Sequence, residues 1–127
     1  SRPSPACVAA HTPRLVTAAS AFRAQLDGAA ARAPAPEVRL LRGIDAAAVL
    51  DVDAGLDALA AQIAQPVQWA SCLDACVEAG AVAFLELGPG RALAEMAARA
   101  HPGLPARSLD DFRSLDGVRA WLGRTVG

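Results

Sequence analysis

Ala81-Val82-Ala83-Phe84-Leu85-Glu86-Leu87-Gly88-Pro89-Gly90-Arg91 runs from an apolar stretch, through a glycine-bracketed turn, into a helical pattern. The first seven residues are nearly all apolar, which suits a strand buried on both faces of a parallel sheet. The two glycines allow a sharp turn and a close approach of backbone to a neighbour. The junction is not a dinucleotide fingerprint, because Leu93 stands where a third glycine is required, and no Gly-Lys-Ser/Thr follows to make a P-loop. It reads first as a structural turn, with a phosphate seat at the helix N-terminus as the alternative. Glu86, at the end of the strand, either ties that turn by hydrogen bonds or serves as a catalytic carboxylate.

Working outward, the same alternation recurs. Upstream, a helix from Pro66 or Trp69 to Ala79 carries Trp69, Cys72, Leu73, Cys76 and Val77 on its inner face, with Gly80 as its cap. Asp53 is placed to cap a helix bearing Leu56, Leu59 and Ile63, which Pro66 stops. Val38 to Leu41 reads as a buried strand and Arg42-Gly43 as the turn after it. Ala29 to Pro36 is an alanine–proline connector. Pro13 to Leu26 reads as a helix, with Leu15, Ala19, Phe22 and Leu26 as its apolar stripe and Arg14, Thr17 and Arg23 solvated. Residues 5–10 form a short apolar strand. Downstream, a helix from Arg91 to Ala100 turns Leu93, Met96 and Ala97 inward. His101-Pro102-Gly103 closes it as an exposed corner. A brief strand follows near Ala106–Leu109. Ser114 then caps a last helix carrying Val118, Trp121 and Leu122. Strands alternating with helices predict an α/β fold, a parallel sheet flanked by helices, with about four strands and five helices.

One histidine stands at a helix entrance. In Val8-Ala9-Ala10-His11-Thr12-Pro13, Thr12 suits an N-cap and Pro13 the first helical position. The positive end of the helix dipole disfavours imidazolium and keeps the ring neutral, able to accept a proton as a general base does. The alternative is a histidine that ends a strand and hydrogen-bonds to a neighbour. A second stretch, Gln62-Ile63-Ala64-Gln65-Pro66, bears on this. In a helix the Gln62 carbonyl would accept from residue 66, and proline has no N–H to give. A histidine N–H would satisfy that carbonyl and fix the ring's tautomer.

The bulk properties set limits. The chain has 127 residues, enough for one core, and a net charge of −1. No basic field exists to attract nucleic acid or a membrane surface. Every basic residue is arginine, and the alanine-rich composition favours helix. The three cysteines, Cys7, Cys72 and Cys76, are odd in number and scattered, which argues for a reducing, cytoplasmic setting and for core filling. No metal-ligand spacing, long apolar span or signal pattern is present. None of the six serines lies in Gly-x-Ser-x-Gly, so the chain has no nucleophile elbow. A free-standing hydrolase is therefore the poorer reading.

Three segments in order resemble the C-terminal third of malonyl-CoA:acyl-carrier-protein transacylases and the related acyltransferase domains of polyketide and fatty acid synthases. They are Val8-Ala-Ala-His-Thr-Pro-Arg-Leu15, Gln62-Ile-Ala-Gln-Pro-Val-Gln-Trp69 and Glu86-Leu-Gly-Pro-Gly-Arg-Ala-Leu93. The closing Asp111-Phe112-Arg113-Ser114-Leu115-Asp116-Gly117-Val118-x-x-Trp121-Leu122 looks most like the epsilon (transacylase) subunit of malonate decarboxylase. Some positions depart from the family pattern. Arg42-Gly43 stands where Ser-Asn or Asn-Asn is frequent, Val16 where methionine is frequent, and Ala10 where polyketide acyltransferases often carry phenylalanine or serine.

The resemblance implies the C-terminal part of an α/β-hydrolase-like acyltransferase large subdomain over residues 11–127. Residues 1–10 would be the last strand of an inserted ferredoxin-like small subdomain. It implies a serine–histidine ping-pong transfer of malonyl from coenzyme A to an acyl carrier protein, with His11 as base and the Gln62 main-chain carbonyl as its orienter. The coenzyme A thioester enters as substrate, and no cofactor is held. The nucleophilic serine and the malonyl-gripping arginine would lie in an upstream segment, leaving this chain inactive in isolation. The alternative is a non-catalytic module on the same scaffold that docks a carrier protein through Arg14, Arg91 and Arg99.

Overall fold

The computed structural model describes residues 15–126. They divide into two compact units, one ending at Cys72 and the other beginning at Leu73. The predicted strand over residues 5–10 and the His11-Thr12-Pro13 entrance lie outside the described residues. The α/β class holds, with five α-helices and one parallel strand pair among the described residues.

In the first unit, α1 (Val16–Leu26) packs on α2 (Val52–Ala61). Leu15, Ala19, Phe22 and Leu26 are half-buried while most of their neighbours are exposed, as the four-three-four spacing requires. Arg23 departs from expectation. It is not a free solvated side chain: its Nε donates to Asp57 at 2.6 Å and its Nη1 to Asp27 at 2.6 Å. The guanidinium also lies 4.0 Å from Asp53, so three carboxylates surround it. Asp57 and Asp27 raise its pKa, the hydrogen bond to Asp57 most of all.

The cap of α2 is Asp51, not Asp53. Asp51 is extended, and its side chain accepts the Ala54 N–H at 2.8 Å, which leaves Asp53 inside the first turn. The helix also ends earlier than Pro66 alone would dictate. After Ala61 the bonds shorten, Ile63 to Ala60 and Ala64 to Ala61, a tightened last turn.

Val38–Leu41 is not a buried strand. Leu41 makes an isolated antiparallel bridge with Ala48, flanked by the bonds Arg42 N–H to Ala47 and Val49 N–H to Leu40. Asp45 folds the chain back within a few residues by taking the Ala47 N–H at 3.0 Å and chelating the Arg42 guanidinium. No second partner strand lies among the described residues, so the run stays half-exposed.

α3 (Trp69–Glu78) keeps Cys72, Leu73, Cys76 and Val77 half-buried, with Trp69 more exposed than its place on the stripe suggests. It closes with bonds from Gly80 to Val77 and from Ala81 to Cys76, the paired pattern expected of a glycine after a helix.

In the second unit, β1 (Phe84–Glu86) pairs parallel with β2 (Ala106–Ser108), and α4 (Ala92–Ala100) packs on both. Ala94 and Ala97 are buried against the strands, where small side chains let helix and sheet approach closely. A 3₁₀ turn, Leu109–Asp111, leads to α5 (Leu115–Thr125), and the Ser114 hydroxyl accepts the Gly117 N–H as expected of the cap. Val118 and Trp121 are buried. The Trp121 ring lies 5.8 Å from that of Phe112, and the Arg107 guanidinium sits 4.0 Å over the Phe112 ring. His101 is not an exposed corner: its side chain is 21% exposed, with Nε2 2.9 Å from Asp74 and the ring beside Phe84.

Candidate active site

Gln62 is the C-cap residue of α2. Its N–H still donates to Ala58, while the ladder beyond it has already given way to the tight turn. The carbonyl therefore lies past the helix because the helix ends at Ala61; the missing N–H of Pro66 is not what interrupts the ladder. Pro66 fixes the extended exit that follows. The ring of His11, expected to face this carbonyl, lies outside the described residues.

The surroundings of Gln62 come from the turn at residues 42–45. The Gln68 N–H donates to the Gly43 carbonyl at 2.6 Å, which pins the chain leaving Gln62 against that turn. A Cβ on Gly43 would lie 2.6 Å from the Gln62 Oε1 and 3.1 Å from the Val67 Cγ1, so a side chain there would displace the Gln62 amide and crowd Val67. Cys72 turns its thiol towards the Arg42 carbonyl at 3.6 Å, filling space beside the turn, as a small apolar residue would. Asp45 is held below the usual carboxylate range, first by the Arg42 guanidinium and then by the Ala47 N–H, so the clasp stays charged. Arg42, standing where the family frequently has a small polar residue, is thus engaged locally. Sequence reasoning missed this role because it depends on Asp45 three residues later.

The Gly88-Pro89-Gly90 junction resolves into a structural turn. The Glu86 Oε1 accepts the Ala94 N–H at 2.9 Å, and the Asp110 Oδ2 accepts the Gly90 N–H at 2.6 Å. Two donors that a phosphate would need are already given to carboxylates, and the added negative charge repels an anion. Glu86 is therefore a tie rather than a catalytic group. Gly90 has φ +87°, a conformation that favours glycine. Its carbonyl accepts the Ser108 hydroxyl at 2.6 Å.

Arg91 reaches Asp111 at 2.6 Å. Asp111 is held below its ordinary value chiefly by the Ser108 N–H and further by Arg91 and Arg107. The stability this gives is complete above the unfolded carboxylate value of about 4 and is lost as pH falls through the lower folded value. Thermal melts of wild type and Asp111→Asn should therefore differ at neutral pH and converge as the pH falls through the lowered folded value. A gap that persists at low pH contradicts the assignment.

Among the described residues, no group of three or more His, Cys, Asp or Glu side chains could hold a metal ion, and no helix is long and apolar enough to cross a membrane. Of the two predicted site residues, the structure places Gln62 in the clamp just described.

No protein-family model matches the chain. It is 34% identical over 96 residues to the malonyl CoA-acyl carrier protein transacylase of Mycobacterium tuberculosis, covering 72% of this chain and 32% of that one. Among solved structures, the acyl-carrier-protein S-malonyltransferase of Burkholderia pseudomallei matches with a TM-score of 0.79 and 33% identity, over 92% of this chain and 38% of that one. The malonyl-CoA:acyl carrier protein transacylase of Xanthomonas oryzae matches with a TM-score of 0.81 and 27% identity, over 96% and 37%. A malonyl-transacylase structure described as a complex with its type II polyketide acyl-carrier protein matches with a TM-score of 0.76 and 27% identity, over 90% and 36%. The chain thus spans about a third of the length of the curated relatives it matches. The resemblance read from three short segments holds: its sequence and structural neighbours are malonyl transacylases, and its fold matches part of theirs.

Proposed function

We propose that this chain is the C-terminal portion of a malonyl-CoA:acyl-carrier-protein transacylase, with His11 its general base and the Gln62 main-chain carbonyl the group that orients it. The observation that carries this reading is the joint match: 34% identity to a curated transacylase, and TM-scores of 0.79 and 0.81 to solved ones. The chain itself carries the His11, Gln62 and Glu86 segments in that order.

The chemistry follows from the roles. A serine from the upstream part attacks the thioester carbonyl of malonyl-CoA while His11 takes its proton. The tetrahedral intermediate collapses by breaking the carbon–sulfur bond, and His11 returns the proton to the departing coenzyme A sulfur. In the second half, the carrier's phosphopantetheine thiol gives its proton to His11 and attacks the malonyl ester. The serine oxygen then leaves and recovers that proton. Gln62 acts through its backbone, accepting the second ring N–H and thereby fixing which nitrogen serves as base. Residues 1–10 would close the small subdomain, and 11–127 would complete the large one. The setting proposed is cytoplasmic, with no resident cofactor.

A narrower version, supported by the Asp111–Leu122 segment alone, makes the carrier that of a malonate decarboxylase. The class alternative, a docking module without chemistry, keeps the scaffold and leaves His11 idle.

The test uses the full-length protein. Incubation with malonyl-CoA should raise its mass by one malonyl group, and adding a phosphopantetheinylated carrier protein should move that group to the carrier. Carrier binding without either mass change would favour the docking module and overturn the catalytic reading.

A further inference from the structure

We infer that Asp45 is a positioning residue for the proposed malonyl transfer: by clasping Arg42 it holds the turn on which the Gln62 segment is seated, and so sets where the Gln62 carbonyl points. The inference rests on the proposed function, which gives that carbonyl a role.

Three bonds converge on the Asp45 carboxylate. Its Oδ1 accepts the Arg42 Nε at 3.0 Å and the Ala47 N–H at 3.0 Å, and its Oδ2 accepts from the Arg42 Nη2. A guanidinium held through two nitrogens by two oxygens is fixed in orientation as well as in place. The backbone inside this clasp is strained. Ala46 has φ +60°, a conformation that a side chain disfavours, and its N–H donates to the Arg42 carbonyl at 2.8 Å. A residue stays in such a conformation only while its surroundings hold it there. The Asp45 bonds to Arg42 and to Ala47 bracket Ala46 on both sides.

What the turn holds is the Gln62 segment. The Gly43 carbonyl takes the Gln68 N–H at 2.6 Å, and the Gln62 amide and Val67 lie where a Gly43 side chain would stand. The Cys72 thiol closes on the same turn, 3.6 Å from the Arg42 carbonyl and 3.9 Å from that of Gly43. Gln62, Val67 and Gln68 therefore all meet the turn at Gly43, the residue next to the clasped arginine. When the clasp opens, the strained turn is free to relax, and the chain leaving α2 loses the surface that locates it. A small displacement there is costly, because misplacing a catalytic group by about 1 Å can cost about 10²-fold in rate. Asp45 acts through this turn and the Gln62 backbone, not on the reacting atoms.

The test uses the full-length protein and Asp45→Asn, which keeps the size of the side chain and discharges the clasp. Exchange of the Gln68 amide should quicken at least about tenfold. Malonyl transfer should fall by about tenfold to a hundredfold, with the KM for malonyl-CoA unchanged. The acid limb of the pH–rate profile should move to lower pH by about half a unit to one unit, because a well-placed carbonyl favours the imidazolium over the neutral ring. Arg42→Gln breaks the same contact from the other side, so it should match Asp45→Asn, and the double variant should be no worse than either. Asp57→Asn, which discharges the carboxylate paired with Arg23 on α2, should leave every one of these readings as in wild type. An unmoved Gln68 amide overturns the inference. So does a fall in transfer with the acid limb unmoved, the mark of a merely structural loss. The proposed activity is scored separately by His11→Ala. If that variant keeps wild-type transfer, the transacylase reading falls and takes the positioning role with it; if it loses transfer while Asp45→Asn behaves as wild type, only the inference falls.

Discussion

His11→Ala in the full-length protein should slow malonyl transfer to a carrier protein by about 10²–10⁴-fold, the range a positioned acid–base group supplies. Both half-reactions need a proton removed from a weak nucleophile and returned to a leaving group, so losing one imidazole slows both. Formation of the malonyl-enzyme and its discharge to the carrier should therefore fall together. Gln62→Ala provides the contrast. The proposed contact is made by the main-chain carbonyl, which alanine retains, so this variant should lose far less than His11→Ala. Its cost includes the packing of the amide against Gly43. Rates of both half-reactions, read by intact mass under single-turnover conditions, check this. A His11→Ala variant within about threefold of wild type would remove His11 from the chemistry, since the base's expected share is far larger. A Gln62→Ala loss equal to that of His11→Ala would shift the orienting role from the backbone to the side chain.

Some of this was readable from residues alone, and the reasons differ by element. The helices were legible because four-three-four spacing needs no distant partner: Leu15, Ala19, Phe22 and Leu26 are the less exposed face of α1. The Gly80 terminator and the Ser114 cap were legible for the same reason, since each is satisfied within a few residues. The parallel pairing of β1 and β2 followed from the intervening helix. What was not legible depends on meetings far apart in the chain. Arg23 lies off the apolar stripe and read as solvated, yet Asp57, 34 residues away, gives it a place between two helices. His101 in a Pro-Gly corner read as exposed until Asp74, 27 residues earlier, came to face it. Asp53 and Asp51 both suit a cap, and only backbone dihedrals choose Asp51. Val38–Leu41 read as buried because its composition suits a covered strand, whereas only an isolated bridge from Leu41 to Ala48 forms there. Gln62 was singled out on a local cause, the missing proline donor. Its confinement by Gly43 and Gln68 is a tertiary fact that no local pattern carries.

Ser108→Ala should be the most costly single hydroxyl loss in the second unit, about 2 kcal/mol, from two hydrogen bonds of a buried hydroxyl at about 1 kcal/mol each. Ser108 has no exposed surface. Its hydroxyl donates to the Gly90 carbonyl at 2.6 Å and accepts the Asp110 N–H at 3.2 Å, so one oxygen joins the end of β2 to the turn after β1. Alanine fits the space but leaves both backbone groups without this partner. The Asp110 carboxylate, which takes the Gly90 N–H at 2.6 Å, loses the bond that steadies its own backbone. The damage should thus spread to the Gly88–Gly90 turn rather than remain at residue 108. For a unit of this size, the melting temperature should fall by roughly 10 °C, and the Gly90 amide should exchange faster than in wild type. Ser114→Ala is the internal comparison. It removes an exposed helix cap bonded to the Gly117 N–H and should cost only about 1 kcal/mol. If the two variants melt together, the Ser108 hydroxyl is one cap among others. If Ser108→Ala melts well below Ser114→Ala while the Gly90 amide keeps its wild-type exchange, the loss lies elsewhere, and the turn is held by the Asp110 carboxylate, Arg91–Asp111 and Glu86 without the hydroxyl.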